Sequence, residues 1–166
     1  MIRKPESKLW QLIKKNTPDI LWNRIEATTI MGFPDLIGCH ADCGLFSVEL
    51  KVSKRGKIKL SPHQIAWNYS HALKGGRCFI IATPLEQSTL NIYGGLQAMA
   101  LSLNVQESSL NVHESSLNVQ EPLIVFRKPF DWKGVSNFLT QKGRIGDTKH
   151  TQRDTKHTQS SLLPPP

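Results

Sequence analysis

An acid and a base stand two residues apart in "GLFSVELKVSK", Glu49 and Lys51. The run is strand-like, and side chains alternate across a strand, so Ser47, Glu49 and Lys51 share one face while Val48, Leu50 and Val52 share the other, apolar face. Alone on a wet surface such a pair is a weak ion pair, worth roughly a few tenths of a kcal/mol. A second acid changes its meaning. Asp35 lies in "GFPDLIG", on the preceding strand-like run, and hairpin pairing brings it near Glu49. Two carboxylates on adjacent strands repel each other. A hard divalent cation such as Mg²⁺, which accepts few carboxylates alongside waters and phosphate oxygens, is their natural counter-charge. Beside an ammonium group, an ion held in this way can deliver a hydroxide-like nucleophile and neutralise negative charge building at phosphorus.

The elements that must position these groups follow an αβ pattern. "ESKLWQLIKK" places Leu9, Leu12 and Ile13 on one face of a short helix. "TPDILWNRIE" is expected to restart the helix, with Thr17 as N-cap and Pro18 at the first helical position, and to turn extended near Glu26. "FPDLIGC" and "LFSVELKV", separated by the turn-like "HADCG", predict an antiparallel hairpin. A basic loop follows. Then comes the strongest helix signal in the chain: Ser61 as N-cap, Pro62 at N1 and Gln64 at N3, with Ile65, Tyr69, Ala72 and Leu73 as an apolar stripe ending at Gly75-Gly76. "RCFIIAT" is a continuous apolar run, as expected of a central strand covered on both faces. "TLNIY" and "PLIVFRK" add candidate edge strands, and "DWKGVSNFLTQ" reads as a closing helix.

Two repeats interrupt this pattern, both with a period of seven: "LNVQESS LNVHESS LNVQE" and "DTKHTQR DTKHTQS". Leu and Val sit two apart in the first, which is wrong for the a and d positions of a coiled coil, and units this short are wrong for a solenoid. Tandem duplication within the coding sequence is the simpler reading. The expected organisation is a core over 1–101, a poorly ordered repeat insertion over 102–121, a strand and helix completing the core over 122–142, and a disordered polar tail over 143–166.

Composition narrows the function classes. The 166 residues suit one domain plus extra segments, and no apolar run approaches the ~20 residues of a membrane span. "MIRKPESKLWQLIKK" has no apolar h-region, so secretion is not expected. Cys39, Cys43 and Cys78 are too few for a disulfide scaffold and suit a reducing compartment. A net charge of +8 favours a polyanionic partner, nucleic acid first, and "KVSKRGKIK" concentrates five basic residues with no acid. "CHADC" offers two thiols and His40 for zinc, but a closed site needs four ligands, so a hairpin turn with incidental cysteines is the default. Trp10, Trp22 and Trp67 suit core packing, with base stacking as the functional alternative.

Gly32-Phe33-Pro34-Asp35, then Glu49-Leu50-Lys51, then "LSPHQ" opening a helix and "GGRCFII" as the next strand, resemble the PD-(D/E)XK nuclease superfamily. The likeness is nearest to its small VRR-NUC and Holliday-junction-resolvase-like enzymes of phages, and covers roughly residues 20 to 84. It implies an α/β fold with a restriction-endonuclease-like αβββαβ core, a mixed sheet flanked by helices. It also implies Mg²⁺, with Mn²⁺ able to substitute, held by Asp35, Glu49 and the backbone carbonyl of Leu50. Lys51 would orient the attacking water and stabilise developing charge. Glu26 would match the family's upstream acid, against a plain surface glutamate, and Gln64 is either a site residue or the second half of an S-x-x-Q capping box. Lys54, Arg55, Lys57 and Lys59 would cradle the phosphate backbone. The implied activity is structure-selective DNA cleavage leaving 5′-phosphate and 3′-hydroxyl ends, by a phage-encoded enzyme in a bacterial cytoplasm. A homodimer would suit paired cuts; no organic cofactor and no membrane is expected. The rival readings are a catalytically inactive nucleic-acid-binding module of the same fold and a small zinc-stabilised interaction protein.

Overall fold

The computed structural model describes residues 5–26, 30–102 and 121–142. The heptapeptide units between 103 and 120 and the tail after 142 lie outside the described residues. Helix α1 (Pro5–Asn16) is followed by three strands, β1 (Leu21–Arg24), β2 (Leu36–His40) and β3 (Gly44–Ser53), then by α2 (Pro62–Leu73) and β4 (Cys78–Pro84). Strand β5 (Thr89–Gly94), a 3-10 turn (Gly95–Gln97), α3 (Ala98–Ser102), β6 (Ile124–Arg127) and α4 (Trp132–Thr140) complete the described order. The six strands form one mixed sheet in sequence order, antiparallel except where β3 runs parallel to β4. Parallel neighbours require a crossover, and α2 supplies it.

Helices cover both faces. Leu9, Trp10 and Ile13 of α1 and Val135 and Leu139 of α4 pack on Val48, Leu50, Phe79 and Ile81. On the opposite face, Ile80, Ala82 and Tyr93 pack with Leu60, Ala98 and the half-buried Ile65. Strand β4 therefore reads as an unbroken apolar run because alternate residues feed two different cores. No helix among the described residues is long and apolar enough to cross a membrane.

The expected helix restart at Thr17 does not occur. Helix α1 ends at Asn16, a turn follows, and Leu21–Arg24 form an edge strand. Thr17 is buried and finishes the preceding helix: its hydroxyl donates to the Ile13 carbonyl at 2.8 Å and accepts the Trp22 indole N–H at 2.9 Å. Pro18, with no N–H to donate, then marks the stop rather than a start. Of the stripe expected on α2, Ile65 packs against the core but Leu73 is 60% exposed, and the fully buried residue of the helix is Asn68. Strand β5 lies inside the sheet and only β6 forms that edge. The five residues of the short α3 are too few to show a helical period in the sequence. The Gln97 amide donates to the Glu121 carbonyl at 2.7 Å, so the chain re-enters close to where it leaves α3.

Candidate catalytic site

Two acids face each other across the β2–β3 ladder. Its last paired residues are Leu36 and Val48, and one further step in the same antiparallel register sets Asp35 opposite Glu49. Alternation puts both on the α2 side of the sheet, since Glu49 and Lys51 align with Ile80 and Ala82, which belong to that core. The ladder stops here for a covalent reason. The next position opposite Leu50 falls to Pro34, which has no N–H to return to the Leu50 carbonyl. The Asp35 carboxylate takes over on that side, Oδ2 accepting the Leu50 N–H at 2.8 Å. On its other edge, the Asp35 carbonyl accepts the Ile25 N–H at 2.8 Å.

The loop before Asp35 is seated on α2. Gly32 has φ +80°, and a Cβ there would lie 2.3 Å from the His63 carbonyl oxygen, so only glycine permits the approach. Phe33 then meets Trp67 edge to face at 5.5 Å. Sheet and helix together therefore clamp the Gly-Phe-Pro-Asp run.

Glu49 is fully buried. Its Oε1 accepts from Lys51 Nζ at 2.8 Å and from Gln64 Nε2 at 2.5 Å. Its Oε2 is buried without a hydrogen-bond partner among the described residues. Burial, and after it the charge of Asp35, pushes the Glu49 carboxyl up to about 7, with the Lys51 ammonium pulling the other way. A buried carboxylate oxygen without a donor beside a second acid is the feature a cation would satisfy.

The two readings of Gln64 are both realised. Its Oε1 accepts the Ser61 N–H at 3.0 Å while its own N–H binds Ser61 Oγ at 3.2 Å, a complete capping box. Because the cap occupies the amide oxygen, the amide nitrogen is the atom left to face Glu49. Asn68, one turn on, donates to the Gln64 carbonyl at 2.9 Å. The Gln-x-x-x-Asn spacing carried that signal, and the apolar stripe obscured it.

Glu26 is exposed. Since Ile25 pairs with Asp35, alternation places Glu26 on the other face of the sheet, and it makes no hydrogen bond or ion pair with Asp35, Glu49, Lys51 or Gln64. The structure therefore does not gather it into the cluster. Lys54, Arg55, Lys57 and Lys59 are exposed just beyond the end of β3. Lys54 and Lys57 exchange backbone bonds of 3.0 and 3.1 Å around Arg55 (φ +53°) and Gly56 (φ +75°), a tight hairpin turn of the I′ kind. At the far end of β2, Cys39 and His40 point to opposite faces, and among the described residues no group of three or more His, Cys, Asp or Glu comes together to hold a metal. His40 instead faces Asp19 and Asp42, each at 3.8 Å.

Comparisons with known protein families, curated proteins and solved structures return no match for this chain.

Proposed function

We propose that the protein is a divalent-metal-dependent endonuclease of the PD-(D/E)XK type that hydrolyses DNA phosphodiester bonds. The observation that carries this reading is Glu49: fully buried, directly across from Asp35, with one oxygen held by Lys51 and Gln64 and the other without a partner. Asp35, Glu49 and the Leu50 carbonyl would hold Mg²⁺ or Mn²⁺, and a set this sparse suits an ion that keeps several waters and takes phosphate oxygens. When bound, the ion would supply Lewis-acid polarisation of the phosphate and lower the pKa of water.

The protein's own groups do the rest. Lys51 Nζ, 2.8 Å from Glu49 Oε1, brings a positive charge to the position where negative charge grows on the phosphoryl oxygens. Gln64 holds the Glu49 carboxylate in one orientation and is itself held by the cap. The basic turn at Lys54–Lys57, with Lys59, gives backbone contacts that position a strand without reading its sequence. The substrate class that suits such contacts is branched, flapped or single-stranded DNA.

The test is incubation of the purified chain with branched, single-stranded and duplex DNA in Mg²⁺ or Mn²⁺, with a chelator control. Metal-dependent cutting that leaves 5′-phosphate ends is expected. Binding without any cutting under either metal would replace this reading with the binding module. If Lys54, Arg55, Lys57 and Lys59 all contact phosphates, log affinity against log salt should have a slope of roughly −3 to −4, flattening as they are neutralised.

A pair of substitutions separates the cap from the site. Ser61→Ala removes only the hydroxyl and should cost roughly 1 kcal/mol in denaturant melts while cutting is retained, because the backbone N–H still holds Gln64. Gln64→Ala should lose stability and also cutting. Equal cutting by both variants would reduce Gln64 to a capping residue.

A further inference from the structure

The tryptophans are put to different uses. Trp10 and Trp22 meet edge to face at 6.1 Å and border the core beneath α1, and Trp132 packs against the same core. Trp67 joins neither core. Its ring meets Phe33 and carries His71 in a flat stack, centroids 3.8 Å apart and planes 16° from parallel. The His71 ring is held there by its Nδ1–H, which must be the donor because its partner is the Trp67 carbonyl, 2.8 Å away. His71 is exposed although Trp67 covers one face of its ring.

This ladder is attached to the candidate site through Phe33 and Trp67, and His71 is its outer end. Phe33 lies two residues before Asp35, and Trp67 is one helical turn beyond Gln64. Along α2, His71 stands about 10 Å from Gln64 at ~1.5 Å per residue, a span of about three stacked nucleotides at ~3.4 Å each. The exposed Lys74 follows His71 on the same flank and offers a cation for a phosphate.

We infer that Phe33, Trp67 and His71 form a stacking platform for an unpaired nucleobase of the DNA strand held at the site. The position of the scissile phosphate in this inference rests on the nuclease reading above. An aromatic plate accepts the face of any base, so it imposes no sequence. A base inside a duplex already has both faces covered, whereas one in a single strand, end or flap can lie on the plate. The platform therefore selects unpaired DNA over intact duplex.

The experiment reads binding alone, in chelator, by fluorescence anisotropy with three probes: a short oligothymidylate, the same strand made abasic, and a matched duplex. His71→Ala should weaken binding of the oligothymidylate by about 5- to 150-fold, the equivalent of ~1–3 kcal/mol for one stacked base. Binding of the abasic strand and the duplex should not change, and His71→Phe should restore the loss. Trp67→Leu should act in the same direction but also loosens the Phe33 contact, so the His71 pair carries the test. Equal weakening on the abasic strand, or none on oligothymidylate, overturns the platform. Cleavage plays no part in this readout, so a chain that cuts no DNA can still show the platform and one that cuts can still lack it.

Discussion

Replacing Lys51 with alanine is expected to lower DNA cleavage by about 10²–10⁴-fold, with the fold retained. Two effects combine. The ammonium that offsets charge on the phosphoryl oxygens is lost. Glu49, already pushed up by burial and by Asp35, also loses the cationic neighbour that pulls its carboxyl down. Its carboxyl then holds a proton across more of the neutral range and is a poorer metal ligand. The residual activity of Lys51→Ala should therefore climb with pH more steeply than that of the wild type. Lys51→Arg keeps the charge but replaces a compact point donor with a bulkier planar fork, and only partial recovery is expected. The measurement is initial rate against pH at saturating Mg²⁺, with circular dichroism to check folding. Wild-type rates from Lys51→Ala would remove Lys51 from the site.

The second expectation runs against ordinary intuition about acidic site residues. Glu49→Gln should abolish cutting and yet make the metal-free protein more stable at pH 8. The folded-state pKa of Glu49 is raised from 4.5 to about 7. Between those values the native state binds more protons than the unfolded chain, so this group's contribution to stability is complete below pH 4.5 and is lost as pH rises through about 7. The shift corresponds to about 3 kcal/mol at ~1.36 kcal/mol per pH unit. Glutamine carries no charge to desolvate, and it places an N–H donor where Oε2 now lacks a partner beside Asp35. Thermal melts in chelator should show the variant ahead of the wild type at pH 8 and level with it near pH 5. Mg²⁺ at about 100 times its Kd should return roughly 2.7 kcal/mol to the wild type and little to the variant. A variant no more stable than the wild type at pH 8 would mean that Glu49 is not a strained, buried anion.

The combination of lost activity and gained stability is what a functional site predicts. A buried carboxylate facing a second acid, with an unsatisfied oxygen, is a local conflict that core packing alone would not retain. Gln64 shows the complementary case, in which one side chain satisfies a helix cap with its oxygen and the site with its nitrogen, so local and tertiary demands agree.

Much of this was legible along the chain because it depends on short-range rules. Alternation in "GLFSVELKVSK" is enough to set Glu49 and Lys51 on one face and Val48 and Leu50 on the other, and Ser61, Pro62 and Gln64 specify the start of α2 wherever that helix packs. The continuous run at Cys78–Pro84 required cover on both sides. The failures were of a different kind. Thr17-Pro18 reads equally well as the start of one helix or the end of another, and the Trp22 indole docking on Thr17 decided it. Glu26 reads equally well as a site acid or a surface glutamate, and pairing through Ile25 places it on the face opposite Asp35. Which residue of α2 turns inward, how β5 sits between two strands, and which tryptophans reach the core depend on contacts between segments far apart in sequence. The raised pKa of Glu49 and the orphaned state of its second oxygen exist only once β2, β3 and α2 have excluded water from one point. Residue types and spacing determined what chemistry the chain could attempt. The tertiary structure alone decided where low dielectric, a facing acid and a single fixed donor set would coincide.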